Sequence, residues 1–394
     1  MRGRSLLAAL CCAALFLYAV YLGAVGILLP ALGASFGLGP AVEGRLFPAN
    51  FAGFIVGVLL CGTLSDRVGR KPVLLGGIAL YTFALVLAGR APGFGAALAA
   101  FALVGMGTGT METVASALAA DLFPERRAFI INALQVAFGA GAALIPLLAH
   151  RLLTHGTDWR ALFLGLAIAN GALLLALAGP RLPDAHTAGE ALDPAELGAV
   201  LRQPAFLGLC LSQALYVGAE TGFSSWMPAY FQKRLPGGAA WEGLVVSVFW
   251  VAMTVGRAAS GPLMARVSLT RLAGAMAAGG ASGAALALVW ATPLTTMAFV
   301  AWTGLCFSGI FGLVLAEAGE RYPRAAGTVF GGVVAAGGVG GAVMPWAVGA
   351  LADAPWGWRG ALALVPLAAA LLALTLLRLG RAGTREGEAA GTAP

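Results

Sequence analysis

The chain is written in long apolar runs separated by short polar breaks. Runs that are continuously apolar for about 20 residues predict helices able to cross a bilayer. Strands of a membrane barrel would alternate polar and apolar positions, and these runs do not. The pattern places spans at 5–30, 43–64, 72–90, 93–121, 127–151 and 159–180, then at 204–231, 242–264, 271–290, 293–317, 324–351 and 359–379. That is twelve, as six and six. The break at 181–203 carries Asp184, Glu190, Asp193 and Glu196, and reads as a linker. It divides an N-terminal six-helix bundle (1–180) from a C-terminal one (204–380). The polar, Gly-rich tail from 381 to 394 is expected to be disordered. The first run follows Arg2 and Arg4 like a signal peptide, but it is too long for an h-region and shows no small-residue cleavage site.

The two sets repeat each other. At an offset of 199 residues, Glu43-Gly44 falls on Glu242-Gly243, and Gly62-x-Leu64-x-x-Arg67-Val68 falls on Gly261-x-Leu263-x-x-Arg266-Val267. Pro124 falls on Pro323, Gly139 and Gly141 on Gly338 and Gly340, Pro146 on Pro345, and Trp159-Arg160 on Trp358-Arg359. Landmarks that keep one offset imply two equivalent halves. Parallel repeats of this kind pack about an axis along the membrane normal, with a binding site between them near the midplane.

Composition strengthens the membrane reading. Of 394 residues 60% are hydrophobic and 10% charged, where a soluble domain carries about 25% charge. The net charge of +7 comes from an Arg-rich set in which Lys71 and Lys233 are the only lysines. These residues lie between apolar runs, so they read as topology signals rather than a nucleic-acid surface. A cytoplasmic N-terminus puts sixteen of the 24 basic residues inside and seven outside, with Arg257 within a span. The excess favours both termini inside, in a bacterial-type inner (plasma) membrane. Cys11, Cys12, Cys61, Cys210 and Cys306 all sit in apolar runs without metal-site spacing, and read as packing residues. His150, His155 and His186 read as loop residues, and no cofactor or metal is called for.

Between the second and third spans the chain reads Gly62-Thr-Leu-Ser-Asp66-Arg67-Val-Gly69-Arg70-Lys71. This loop resembles the signature G-x-L-x-D-R-x-G-R-K of the major facilitator superfamily at each defining position. The resemblance covers nearly the whole chain. It implies an all-α membrane protein of twelve transmembrane helices in two pseudo-symmetric six-helix bundles, working as a secondary transporter rather than an enzyme. Gly62 and Gly69 permit a tight turn and close helix approach. Asp66 can pair with Arg67 or Arg70, or face a helix N-terminus of the other half. By resemblance that partner lies near Arg324, and the contact would latch the cytoplasmic side shut. The alternative is that these charges only set topology.

Substrate chemistry must come from polar groups inside spans, where a charge costs about 2.5–3.5 kcal/mol on insertion scales. Glu112, Glu220, Glu317 and Arg257 are the charged candidates. Thr108, Glu112 and Ser116 share one face of the fourth span at i, i+4, i+8, among glycines that leave room on the helix. Gln213, Tyr216, Glu220 and Ser224 share a face of the seventh. Both passages resemble the corresponding helices of bacterial fucose- and glucose-type sugar–cation symporters. That resemblance implies a carboxylate that loads a proton on one side of the membrane and releases it on the other, beside groups suited to a polyhydroxylated solute. The alternative for each carboxylate is helix bracing. Glu317 and Arg257 read as structural, Arg257 by snorkelling to the interface. Asn132, Gln135 and Asn170 read as packing amides.

Departures qualify the substrate. Gly26 stands where the fucose symporters have an acidic residue. Drug–proton antiporters of the superfamily carry Arg in the fourth span and Gly-Pro in the fifth; this chain has Phe101 and Ile145-Pro146. The expectation is uptake of a small polar solute, such as a sugar, coupled to a proton or sodium ion, by a monomer with no nucleic-acid partner. Proton-coupled efflux of a drug or metabolite is the alternative within the class, and a transport-inactive sensor or scaffold the alternative outside it.

Overall fold

A computed structural model describes residues 2–179, 194–264, 267–290, 292–322 and 326–391; some helix side chains, Asp66 among them, lie outside that description. The expected linker before residue 194, Ala265-Arg266 and Arg324 therefore lie outside the described residues. The first half comprises α1 (Arg2–Phe36), α2 (Pro40–Glu43), α3 (Leu46–Val68), α4 (Arg70–Gly89), α5 (Phe94–Leu122), α6 (Arg127–Thr154) and α7 (Trp159–Ala178). After the short α8 (Pro194–Leu201) come α9 (Pro204–Arg234), α10 (Glu242–Met264), α11 (Leu269–Val289), α12 (Pro293–Phe307), α13 (Ile310–Arg321), α14 (Ala326–Leu351), α15 (Gly357–Leu362) and α16 (Leu364–Gly391).

Eleven described segments are long and apolar enough to cross a membrane. The twelfth, α9, has 31 residues and fails on polarity, not length. It carries Gln213, Glu220 and a run of Ser and Thr, and nearly its whole second half is buried. A helix polar enough to fail as a lipid-facing span is tolerated where other helices surround it.

Packing repeats between the halves. α1 lies on α6, α3 on α5, and α4 on α5 and α7. Their counterparts do the same: α9 on α14, α10 on α12, and α11 on α12 and α16. Between the halves, α3 meets α14, α6 meets α10 and α1 meets α9. The expected pseudo-symmetric pair of helical bundles is what the chain forms.

Glycine placement explains several of these approaches. Gly53 and Gly57 of α3 face Ala102 and Met106 of α5, while Gly105 and Gly109 of α5 face Asn50 and Phe54 of α3; a Cβ at any of the four would collide with the opposing backbone. Small residues four apart let two helices touch at their backbones. The glycines of α5 therefore serve packing and do not leave the free room that the sequence suggested. The glycine run of α14 divides by face: Gly337 and Gly340 meet α9, whereas Gly338 and Gly341 meet Ile55 and Phe51 of α3.

Three boundaries differ from expectation. α1 runs through Pro30 to Phe36, since one proline removes a single backbone donor from a long helix. The span expected at 293–317 is broken at Ser308-Gly309 into α12 and α13. α16 continues to Gly391, into the Gly-rich tail that the sequence marks as disordered.

Candidate functional site

The signature loop is built on a turn that only glycine adopts readily. Gly69 has φ +97°, between the end of α3 and the start of α4. Arg70 is ion-paired with Asp121 at the end of α5 at 2.5 Å. Asp121 reaches it because α4 begins where α5 ends. Lys71 donates to the Ala178 carbonyl at the end of α7 (2.9 Å), where exposed carbonyls attract a cation. The basic residues of the loop thus tie the helix ends of the first half together. Arg67 is exposed. The Asp66 side chain lies outside the described residues.

At mid-bundle, helices of both halves converge on one cluster. Glu112 on α5 lies deep in the protein yet keeps partial solvent access. Its charge acts on Glu220 of α9 and Arg257 of α10. Tyr18 of α1 lies within reach of both carboxylates, and its ring stands edge-on to Phe138 at 5.4 Å. Tyr216 is fully buried beside Glu220 and Arg257 and against the Phe307 ring (6.0 Å). Four helices from two halves thereby bring two carboxyl groups, a guanidinium and two phenols to one place.

Arg257 holds this cluster to the fold. Its Nε donates to the Ser308 carbonyl at 3.1 Å, the carbonyl released where α12 breaks from α13. Its Nη1 reaches the Gln135 side-chain oxygen of α6, in the other half, at 3.3 Å. Snorkelling was the sequence expectation for Arg257, and Gln135 was read as packing. The guanidinium instead points inward and links the halves, because a broken helix in a membrane needs a donor for its freed carbonyls. Gly256 lets α10 approach that break, since a Cβ there would lie 2.7 Å from the Leu305 carbonyl.

The remaining predicted residues scatter. Gln213 is fully buried, and neither of its amide atoms has a hydrogen-bond partner. The Tyr216 hydroxyl, Trp250 Nε1 and Ser247 Oγ also have none. Thr108 is buried and donates to the Gly105 carbonyl (3.0 Å) of its own helix. Ser116, two turns further along α5, is half-buried. Asn132 is exposed, and Asn170 donates to Leu166 within α7 (3.1 Å). Glu317 is ion-paired with Arg321 at 2.6 Å, one turn along α13. His150 lies in α6, not in a loop, and faces Glu242 of α10 at 3.8 Å. Tyr18 was missed; its signal was a phenol, one of two with Tyr21, inside an apolar first run.

From the level of Arg257 to the end where α1 finishes, the halves are in contact. A Cβ at Gly26 of α1 would lie 2.6 Å from the Ser225 carbonyl of α9, so no carboxylate fits at this position in this packing. Phe47 packs at a tilt against Trp226 at 6.2 Å, and Phe138 stands edge-on to Trp250 at 5.8 Å. Gly243 sits against Pro146 and His150.

Two repeated helical bundles that share a charged cluster across their interface define a two-domain membrane protein with a central site. The sequence profile of the Major Facilitator Superfamily matches residues 10–333, and the chain belongs to that family. Among solved structures, the E. coli fucose:proton symporter superposes with a TM-score of 0.69 at 19% identity, covering 94% of this chain and 98% of that one. A D-xylose-proton symporter gives 0.77 at 17% identity, covering 95% and 96%. These likenesses are of fold. In sequence, multidrug resistance protein MdtL of Escherichia coli O81 is 32% identical over 148 residues, 37% of this chain and 38% of the relative. The "Probable 4-methylmuconolactone transporter" of Cupriavidus pinatubonensis is 30% identical over 236 residues, 57% and 54%. The chain thus covers less than two thirds of either relative.

Proposed function

We propose that this protein is a secondary transporter working by alternating access, coupling entry of a cation, a proton in the first instance, to uptake of a small polar solute such as a sugar. The observation that carries the reading is that Glu112 and Glu220, one from each half, lie within electrostatic range of each other and of Arg257 and Tyr18, with Tyr216 beside Glu220. With both carboxylates ionised, the three charged groups sum to one negative charge, which a single bound cation neutralises. The unpartnered amide of Gln213 and indole N–H of Trp250 are buried donors and acceptors suited to a hydroxylated solute. Under this reading the protein is a monomer in an inner membrane with both termini cytoplasmic. The end where the halves touch then faces outward, closed on that side. Asp66 serves as a latch of the opposite state.

The second reading is proton-coupled efflux of a drug or metabolite. What favours it is the names carried by the sequence relatives, a multidrug resistance protein and a 4-methylmuconolactone transporter. A transport-inactive sensor or scaffold is the reading from outside the class.

Reconstitution into proteoliposomes with an imposed proton or sodium gradient separates the three. Uptake driven by an inward gradient supports symport, and extrusion supports efflux. No flux of any sugar, drug or organic acid under either gradient would remove the transporter reading. Glu112→Gln and Glu220→Gln are each expected to reduce gradient-driven flux at least about tenfold while sparing solute exchange without a gradient, in the range of general acid–base groups. Equal loss of both activities would make these residues braces. In the same assay Asp66→Asn is expected to slow turnover, and an unchanged rate would dismiss the latch.

A further inference from the structure

A second cavity lies outside the Glu112–Glu220–Arg257 cluster, at the linker end of the second half. It occupies about 700 Å³ between α9, α13 and α16, and is lined by Gln203, Pro204, Leu211, Arg321, Thr375 and Arg378 among others. Its chemistry divides along its length. At the mouth, α9 begins with Pro204 in its first turn, so the positive end of a 31-residue helix opens there. Arg378 is exposed on the wall, and Arg202 is exposed one residue before Gln203. Arg321 is fixed by Glu317 (2.6 Å) and by the Leu379 carbonyl (3.1 Å). With Glu317 matched to Arg321, the charges of Arg202 and Arg378 exceed that of Glu320, the exposed acid nearby among the described residues.

Deeper in, Leu211 is in the wall, and exposed leucines continue beside the cavity on α9 and α16. Leu207 and Leu211 on α9 are 54% and 46% exposed, one turn apart. Leu371 and Leu374 on α16 are 49% and 54% exposed, one turn from Thr375 and Arg378. Gly208 brings α9 against Leu379 and closes the back of the groove. A basic mouth at the level where helices end, continuous with exposed leucines toward the membrane centre, matches a ligand with an anionic head and apolar tails. A free phosphate would use the first part and leave the second uncovered.

We propose that this groove binds an anionic phospholipid, its phosphate at Arg378, Gln203 and the start of α9 and its acyl chains along the leucines. The detergent-purified full chain, titrated with dioleoylphosphatidylglycerol or dioleoylphosphatidylcholine and read by native mass spectrometry, tests it. Phosphatidylglycerol adducts are expected at lower lipid concentration than phosphatidylcholine adducts. Arg378→Gln is expected to weaken phosphatidylglycerol binding about fivefold, the effect of one basic residue at a membrane surface. Leu374→Asn is expected to weaken it as well, whereas Arg90→Gln at the opposite end leaves it unchanged. Equal binding of the two lipids, or a phosphatidylglycerol affinity indifferent to Arg378→Gln, would overturn the proposal. So would displacement of the lipid by an equal concentration of inorganic phosphate, which would make the site a phosphate site.

Discussion

Gly26→Ala is a small substitution aimed at the place where the two halves meet. The added methyl would stand 2.6 Å from the Ser225 carbonyl oxygen, 2.9 Å from its Cα and 3.1 Å from its carbonyl carbon. All three are backbone atoms of α9, so no side chain can turn aside. Overpacking of this sort costs about 1–3 kcal/mol. The cost falls on the arrangement in which α1 and α9 touch, and is relieved when this end opens. The population ratio should therefore move about five- to 150-fold toward the arrangement with the halves apart here. Spin labels at Arg90→Cys and Trp356→Cys, both exposed positions at this end, would report it once the five native cysteines are replaced. The expected result is a longer distance population that grows in Gly26→Ala. Gly331→Ala on α14 is the control, because a Cβ there meets nothing within 4 Å. A distance distribution equal in the parent and Gly26→Ala would refute the reasoning, as would the same shift in Gly331→Ala.

Three further substitutions probe the charged groups. Arg257→Lys keeps the charge but loses the fork that reaches Ser308 and Gln135 together; transport should fall about tenfold, and stability read by thermal unfolding should drop by about 1 kcal/mol. Wild-type flux in Arg257→Lys would show that charge alone suffices. Arg70→Gln and Asp121→Asn remove a partly exposed ion pair, so each should destabilise by about 1 kcal/mol or less, and the double variant should cost no more than either single one. Additive losses by thermal unfolding would mean the two do not act as a pair.

The fold was largely legible because its signals are local. Apolar runs gave the helices, and the offset of 199 residues anticipated the matched packing of α1 on α6 and α9 on α14. Interior chemistry was legible only in part. Glu112 and Glu220 stood out, since a carboxylate in an apolar run has few reasons to be there. Arg257 was misjudged because a long side chain near a helix end can turn either way, and sequence does not state which. What decided it was the break at Ser308-Gly309, a feature of another helix 51 residues on. Tyr18 and Gln135 were hidden for a related reason: each is ordinary on its own helix and gains meaning only from what a different helix brings to it. The glycines of α5 showed the limit from the other side. They could be seen as small, but only α3 shows that their space is already filled.

The polarity of α9 bears on how the protein is made. Helices enter the bilayer in order from the ribosome, and each is sorted by its own apolarity as it passes. α9 opens the second half while α14 and α16, which enclose it in the finished protein, have yet to be synthesised. Glu220 alone weighs against insertion by about 2.5–3.5 kcal/mol near a helix centre. α9 must therefore either settle against the first half, where it meets α1 and Phe47 of α3, or wait in a polar environment until its later neighbours arrive. Order of synthesis makes the first half a scaffold for the least membrane-like helix of the second.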